Sequence, residues 1–255
     1  MGFGAELRDW RTRRRLSQMA LALEAGASPR HVSFLETGRA KPSPEMVARL
    51  GDALDLPLAA RNGLMAAAGF AARHPRSDLS SEHLGRIAGA MARVVDRHDP
   101  WPGFAVDGTW RLLRLNGGAE KLLNPLGLGA GDSLLAPFTR PGFARSVIQN
   151  WGEVGHHMSL RLAAESRAAG GVAEIDALVA SLRADPDVAA WDGTGAEAAV
   201  LTTIYRAGDR RLAFFTTLLA FQDAQDVAVA EARVELMFPA GAETEAAFEG
   251  PDEIV

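Results

Sequence analysis

Apolar positions in the first stretch of the chain recur at helical spacing. Phe3, Leu7, Trp10 and Leu16 fall on one side of a segment that otherwise holds Arg8, Arg11, Arg13, Arg14 and Arg15, a basic amphipathic helix. Ser17 follows as an N-cap. The next helix, Gln18 to Ala25, is expected to turn Met19, Ala22 and Leu23 inward until Gly26 supplies a left-handed stop. Ser28 caps again, Pro29 takes the first helical position, and Val32 and Leu35 point inward before Glu36. After a loop from Thr37 to Pro42, Ser43 caps a fourth helix over Pro44–Leu54, and a fifth runs from Leu58 to Ala68. Five short helices, the second and third joined by only a glycine-containing turn, form a helix-turn-helix unit.

A polar, proline-containing stretch from Ala71 to Asp78 reads as a linker. Beyond it a helix is expected over Ser80–His98, with Leu84, Ile87, Ala88, Met91, Val94 and Val95 on one stripe; core, dimer seam and signal conduit are all compatible with it. Then the period shortens. Gly103–Asp107 and Trp110–Leu115 flank an Asp107-Gly108 turn, a hairpin signal, and Asn116 starts a short helix through Leu123. Helical spacing returns over Pro141–Trp191, strand patterning over Val200–Arg206 and Arg211–Gln222, and a last strand over Arg233–Phe238. The acidic tail after Pro239 is expected to lack fixed structure. Early strands, intervening helices and late strands predict one antiparallel sheet with helices on a face, an α+β domain. The expected division is an all-α head over 1–72, a linker and connecting helix over 73–99, an α+β domain over 100–240 and the tail over 241–255.

A length of 255 residues suits two domains. With no cysteine, disulfides, thiolate zinc sites and cysteine nucleophiles are excluded. No apolar run reaches the ~18 residues of a membrane span, and the first residues carry no secretory pattern, so a cytoplasmic protein with no membrane partner is expected. The net charge of −5 hides an asymmetry. Residues 1–76 carry 12 Lys and Arg against 7 Asp and Glu, whereas the remaining 179 carry 15 against 25. A basic module joined to an acidic one is the pattern of a nucleic-acid-binding head on a domain of other purpose.

Leu16-Ser17-Gln18, Ala25-Gly26-Ala27-Ser28, Leu35-Glu36-Thr37-Gly38-Arg39 and Lys41-Pro42-Ser43 resemble the Cro/phage-repressor (Xre) class of helix-turn-helix proteins over residues 3–69. The resemblance implies double-stranded operator DNA as partner, with the helix from Ser28 to Glu36 in the major groove. Pro29, Arg30, His31 and Ser33 are its outward positions, and Arg30 has the fork that matches guanine O6 and N7. Gln18, Thr37, Arg39 and Lys41 are then phosphate contacts. Glu36 is expected to brace Arg39 or the fold. For the Arg13–Arg15 run, a solvated face and phosphate contact both stand, as surface and base contact do for His31.

The second half has a PAS-like order of elements. Pro102–Pro239 resembles the MmyB-like ligand-binding domain that follows an Xre-type head in many bacterial regulators, through Val106-Asp107, Trp110, Asn116, Trp151, Leu160-Arg161, Trp191, Ala220-Phe221 and Glu235–Pro239. The segments Asn124–Asp132 and Gly152–His157 depart from the common pattern. The resemblance implies a pocket for an apolar small molecule such as a fatty acid or acyl derivative, and no resident cofactor. Candidate ligand residues are Trp110, Phe143, Trp151, Arg161, Tyr205 and Phe215. Each aromatic serves as well in a plain core, Arg161 as well as a packed stem with a wet head, and Tyr205 as a half-buried strand residue. No nucleophile elbow, Walker loop or zinc-protease motif occurs, the Gly127–Gly131 run reads as a loop, and adjacent His156 and His157 diverge too far to share a metal. The resulting expectation is a homodimeric, ligand-responsive transcription regulator rather than an enzyme. The alternative is a constitutive DNA-binding repressor whose second domain only dimerises or grips a protein partner.

Overall fold

Three serines start helices in the head, as seen in the computed structural model, which describes residues 2–79, 81–193 and 199–249. α1 covers Phe3–Arg13, α2 Gln18–Glu24, α3 Pro29–Glu36, α4 Pro44–Ala53 and α5 Leu58–Ala67. The Ser17, Ser28 and Ser43 hydroxyls accept from the amides of Ala20, His31 and Met46 at 3.0, 3.1 and 3.2 Å. α1 stops three residues earlier than the basic periodicity suggests, with Arg15 at a positive φ of 56°. Leu16, beyond its end, still packs on the head's core.

The phase of α2 corrects the sequence expectation. Met19 and Leu23 are 71% and 80% exposed, while Leu21, Ala22 and Ala25 are buried. A two-turn helix rich in apolar residues on both sides does not reveal its inner face by period alone. Its orientation is set by the tight turn at Gly26, where the Ala27 amide bonds the Ala22 carbonyl at 2.8 Å. Gly4 serves close packing instead: a Cβ there would lie 2.5 Å from the Leu35 and Glu36 carbonyl oxygens, so α1 can rest against the end of α3. The chain forms two compact units, and this first one gathers Met1–Arg76 with Ala163–Asp176 and Gln225–Val227.

The second unit comprises Ser77–Leu162, Ala177–Ala224 and the residues from Ala228 on. Where the sequence predicts one helix over Ser80–His98, a 3-10 turn at Glu82–Leu84 leads into α6, Gly85–Asp96; Ser80 lies outside the described residues. Then follow β1 (Gly103–Val106), β2 (Leu112–Leu115), α7 (Gly117–Leu123), α8 (Phe143–Val147), α9 (Trp151–Ala169), α10 (Ala173–Ala184), α11 (Pro186–Ala190), β3 (Thr203–Ala207), β4 (Arg210–Ala220), α12 (Val227–Glu231), β5 (Arg233–Pro239) and α13 (Ala242–Glu249). The strands form one curled antiparallel sheet in the order β2-β1-β5-β4-β3. β4 pairs twice, with β3 as far as Phe214 and with β5 from Phe214 to Ala220.

The pleat sorts side chains by parity. Val234 of β5 shares one face with Ala105, and there Met91 and Val95 of α6 close a small core. Glu235 points to the other face, as do Tyr205 and Phe214 through the register of β3, β4 and β5. Residues 242–249, expected to lack structure, instead form α13 with Thr244, Ala247 and Phe248 buried. Phe248 meets Phe214 edge-on at 5.4 Å, and the Thr244 hydroxyl accepts the Ala213 amide at 2.9 Å. The acidic composition concealed a buried stripe of two apolar residues and one hydrogen-bonded threonine. Residues 250–255 lie outside the described residues.

Asn116, 4% exposed, ties the hairpin to its surroundings. Its side-chain oxygen accepts from Gly103 and Ala119 amides at 2.9 and 2.8 Å, and its amide donates to the Val95 and Trp101 carbonyls at 3.1 and 2.9 Å. Asn116→Ala removes all four bonds, although the Val95 carbonyl keeps the His98 amide at 3.2 Å, and each buried group left without a partner costs ~1–3 kcal/mol before relaxation. A loss of about 3 kcal/mol in urea denaturation is expected, and Asn116→Asp should be no milder, because its second carboxylate oxygen would face the Val95 and Trp101 carbonyls that the amide now satisfies.

Candidate nucleic-acid interface and ligand cleft

Glu36 closes α3 against two other helices. Arg11 of α1 bonds both its carboxylate oxygens, at 2.6 and 3.1 Å, and the Gln18 amide of α2 donates to it at 2.8 Å. The carboxylate is 3% exposed. Burial works against its charge, but the hydrogen bonds from Arg11 and Gln18, helped by the charges of Arg11 and Arg8, outweigh it and hold the pKa below the usual 4.5. Arg11, and not Arg39, is therefore the partner of Glu36. The Gln18 bond uses one N–H of its amide and leaves the second unused.

With α3 braced from behind, its N-terminal end faces outward. Ser28, Pro29 and Arg30 are exposed, and His31 and Ser33 are half-buried. The Arg30 guanidinium lies 5.2 Å from the centre of the Phe34 ring, and Arg39 approaches the same ring at 6.0 Å. Phe34 escaped the sequence analysis, although its position one helical turn after Arg30 was the available signal. Thr37 donates its hydroxyl to the Ser33 carbonyl at 2.8 Å, which leaves its oxygen lone pairs outward. Thr37, Arg39 and Lys41 are all exposed. The arginine run separates into distinct roles: Arg13 pairs with Asp9 at 2.7 Å, Arg14 caps the end of α4 through the Leu54 and Asp55 carbonyls, and Arg15 is exposed.

The six candidate ligand residues fall into three places. Trp110, Arg161 and Tyr205 gather around Glu235 on one face of the sheet. Trp110 is 5% exposed and held at φ 63°, with the guanidinium of Arg161 at 4.6 Å from its ring and that of Arg233 at 4.8 Å. Arg161 also pairs with Glu235 at 2.5 Å. Burial of the Tyr205 hydroxyl, and then the charge of Glu235, push its pKa far above the usual 10.0. Phe143 and Trp151 lie elsewhere, each against Phe138, at 5.8 and 5.9 Å. Phe215 stacks on Phe238 at 5.4 Å on the sheet face opposite Tyr205.

Trp151 borders two clefts. One, of about 280 Å³, runs past Phe138, Arg140, Pro141 and Leu182. The other, of about 530 Å³, is lined by Ile148, Gln149, Asn150, Trp191 and Arg206 among others. Arg145 borders both and pairs with Asp185 at 2.8 Å and with Asp187. Burial opposes the charge on Asp185, but the Asp187 amide, Arg145 and the Val188 amide together lower its pKa. Gly152 and Gly155 let α11 rest on α9, since a Cβ on Gly155 would sit 2.4 Å from Val188 Cγ2. His156 and His157 both turn their rings to Trp191, at 4.6 and 5.2 Å. Among the described residues no three metal-ligating side chains converge.

A helix-turn-helix domain family matches residues 3–64, and the MmyB-like transcription regulator ligand binding domain family matches residues 87–249. The chain belongs to the MmyB-like transcription regulator family. No curated protein matches it at a significant level. This MmyB-like regulator joins a DNA-binding head to a ligand-binding domain, and no helix among its described residues is long and apolar enough to cross a membrane.

The brace has a pH signature. Because Glu36 titrates lower when folded than unfolded, its stabilisation is full above the unfolded value near 4.5 and disappears as pH falls through the folded one. Urea midpoints measured from pH 6 down to pH 3 should therefore fall more steeply for the wild-type MmyB-like regulator than for Glu36→Gln, which starts lower. Parallel curves would show that Glu36 contributes nothing through its charge.

Proposed function

We propose that this protein is a sequence-specific, homodimeric transcription regulator whose second domain binds an apolar small molecule, a fatty acid or acyl derivative, and thereby changes the affinity of the head for operator DNA. The observation that carries this reading is the braced α3. Its outward end presents Arg30 on a phenylalanine shelf, backed by exposed Arg39 and Lys41, in a segment with a cationic excess. Arg30 then reads a base edge together with Ser28, Pro29, His31 and Ser33, while Gln18, Thr37, Arg39 and Lys41 fix the register on phosphates. The protein works in the cytoplasm and catalyses no reaction in this reading.

Dimerisation is supported by the second half of β4. Beyond Phe214 it has no described neighbour on the β3 side, and Leu218 and Leu219 there are 50% and 43% exposed. An exposed apolar edge is a liability that a second copy removes. The two-fold axis so created matches a palindromic operator. For the ligand to act, it must bind the DNA-competent and incompetent arrangements unequally, because equal affinity shifts nothing.

Fluorescence anisotropy with the protein's own promoter fragment tests the head. Affinity should fall steeply with salt, as released counterions require. Arg30→Ala should relax preference at one base pair by ~1–3 kcal/mol, whereas Lys41→Ala should weaken all sequences alike and lower the salt slope by about 1. A uniform loss from Arg30→Ala would assign it to phosphate.

Repeating the titration with tetradecanoate tests the coupling. A shift in DNA affinity of about fivefold or more is expected, the lower range of typical allosteric couplings. Unchanged affinity at saturating tetradecanoate would instead favour a constitutive repressor whose second domain only dimerises.

A further inference from the structure

α3 carries one phenylalanine, and the helix turns it away from the core. At about 100° per residue, Val32 and Leu35 share the inner side, while Arg30, Ser33, Phe34 and Thr37 fall on the outer one. Val32 and Leu35 are 0% and 1% exposed, within the head's core. Phe34 is half-buried and is not among the described apolar residues that pack on that core. Its ring lies instead under two cations, the Arg30 guanidinium at 5.2 Å and that of Arg39 at 6.0 Å. The backbone beneath it is fixed, because the Phe34 carbonyl accepts the Arg39 and Ala40 amides at 2.8 and 3.2 Å. A large ring so placed adds little to folding, and it stands in the middle of the cationic surface of α3.

A duplex offers such a ring one kind of partner. Phosphates and polar base edges gain nothing from a phenyl group, and in the major groove the one apolar group that a base pair presents is the C5-methyl of thymine. Arg30, one helical turn before Phe34, has the fork for guanine O6 and N7. A turn of ~5.4 Å spans between one and two base-pair rises of ~3.4 Å, so the ring falls on a pair close to that guanine. The guanidinium over the ring keeps the two side chains in step, since a cation–π contact orients the fork and leaves its in-plane N–H donors for the base.

We propose that Phe34 determines specificity by packing on the C5-methyl of a thymine one or two base pairs from the guanine that Arg30 reads. This rests on the reading of the head as an operator-binding module and names a base that it selects. Arg30 and Phe34 then form one reader, with a polar half for guanine and an apolar half for thymine. As a shelf alone, the ring would act only at the guanine. As a methyl contact, it also acts at a base that Arg30 does not touch.

The full chain first selects its operator from a random-sequence duplex pool. Each thymine of the enriched site is then replaced in turn by deoxyuridine, which lacks only the C5-methyl. Fluorescence anisotropy of the wild-type protein should show a loss of about fourfold at one thymine per half-site, the worth of one buried methyl. That thymine should lie within about two base pairs of the guanine at which Arg30→Ala relaxes preference. Phe34→Ala should bind the thymine and deoxyuridine sites equally, and Phe34→Leu should keep part of the difference. The wild-type scan needs no variant, and with the ring off the core Phe34→Ala should unfold at the wild-type urea concentration or above. No thymine sensitive to the exchange, a sensitivity that survives Phe34→Ala, or a Phe34→Ala loss confined to the guanine overturns the assignment and leaves an operator-binding head. Failure of the pool to enrich any sequence overturns both.

Discussion

One carboxylate fastens the head. Glu36 ends the helix that faces outward, and it is gripped by Arg11 from α1 and Gln18 from α2, so three helices meet at a single almost fully buried charge. A charge removed from water to that extent is tolerable only if its hydrogen-bonding capacity is filled. Here filling it requires all three helices to be in place, so the polar requirement selects one arrangement. The orientation of α3, and with it the direction of Arg30, follows from that requirement rather than from apolar packing alone. A surface prepared in this way needs little ordering when it meets a duplex.

Much of the head was legible because its signals are local. Ser17, Ser28 and Ser43 cap helices by bonds that span three residues, and Gly26 needs only its own φ. What local signals could not supply was rotation and partnership. The inner face of α2 was misread, because Leu21, Ala22 and Ala25 form a stripe as regular as the one proposed through Met19 and Leu23. Glu36 was recognised as a brace, but its partner lies 25 residues away and is fixed by how α1 crosses α3.

The second domain shows the same division more sharply. Its hairpin, the Asn116 cap and the late strands follow from alternation and turn chemistry, and the order of those elements predicts the antiparallel sheet. The site was less accessible. Tyr205, Arg161 and Trp110 come from separate parts of the chain: Arg161 links Trp110 to Glu235, and Tyr205 joins them only through the charge of Glu235. Phe215 stands apart because pleating puts neighbouring residues on opposite faces.

The corner of the first hairpin carries a tension of its own. Trp110 holds a left-handed backbone, a conformation worth ~1–3 kcal/mol against a bulky residue, and its ring lies close to two guanidinium groups. Its amide donates to the Asp107 carbonyl, and its own carbonyl accepts from Leu134. Those two backbone bonds keep the turn in place whatever the side chain, so glycine at 110 would adopt the same φ without steric cost and give up only the buried indole and its contacts with Arg161 and Arg233.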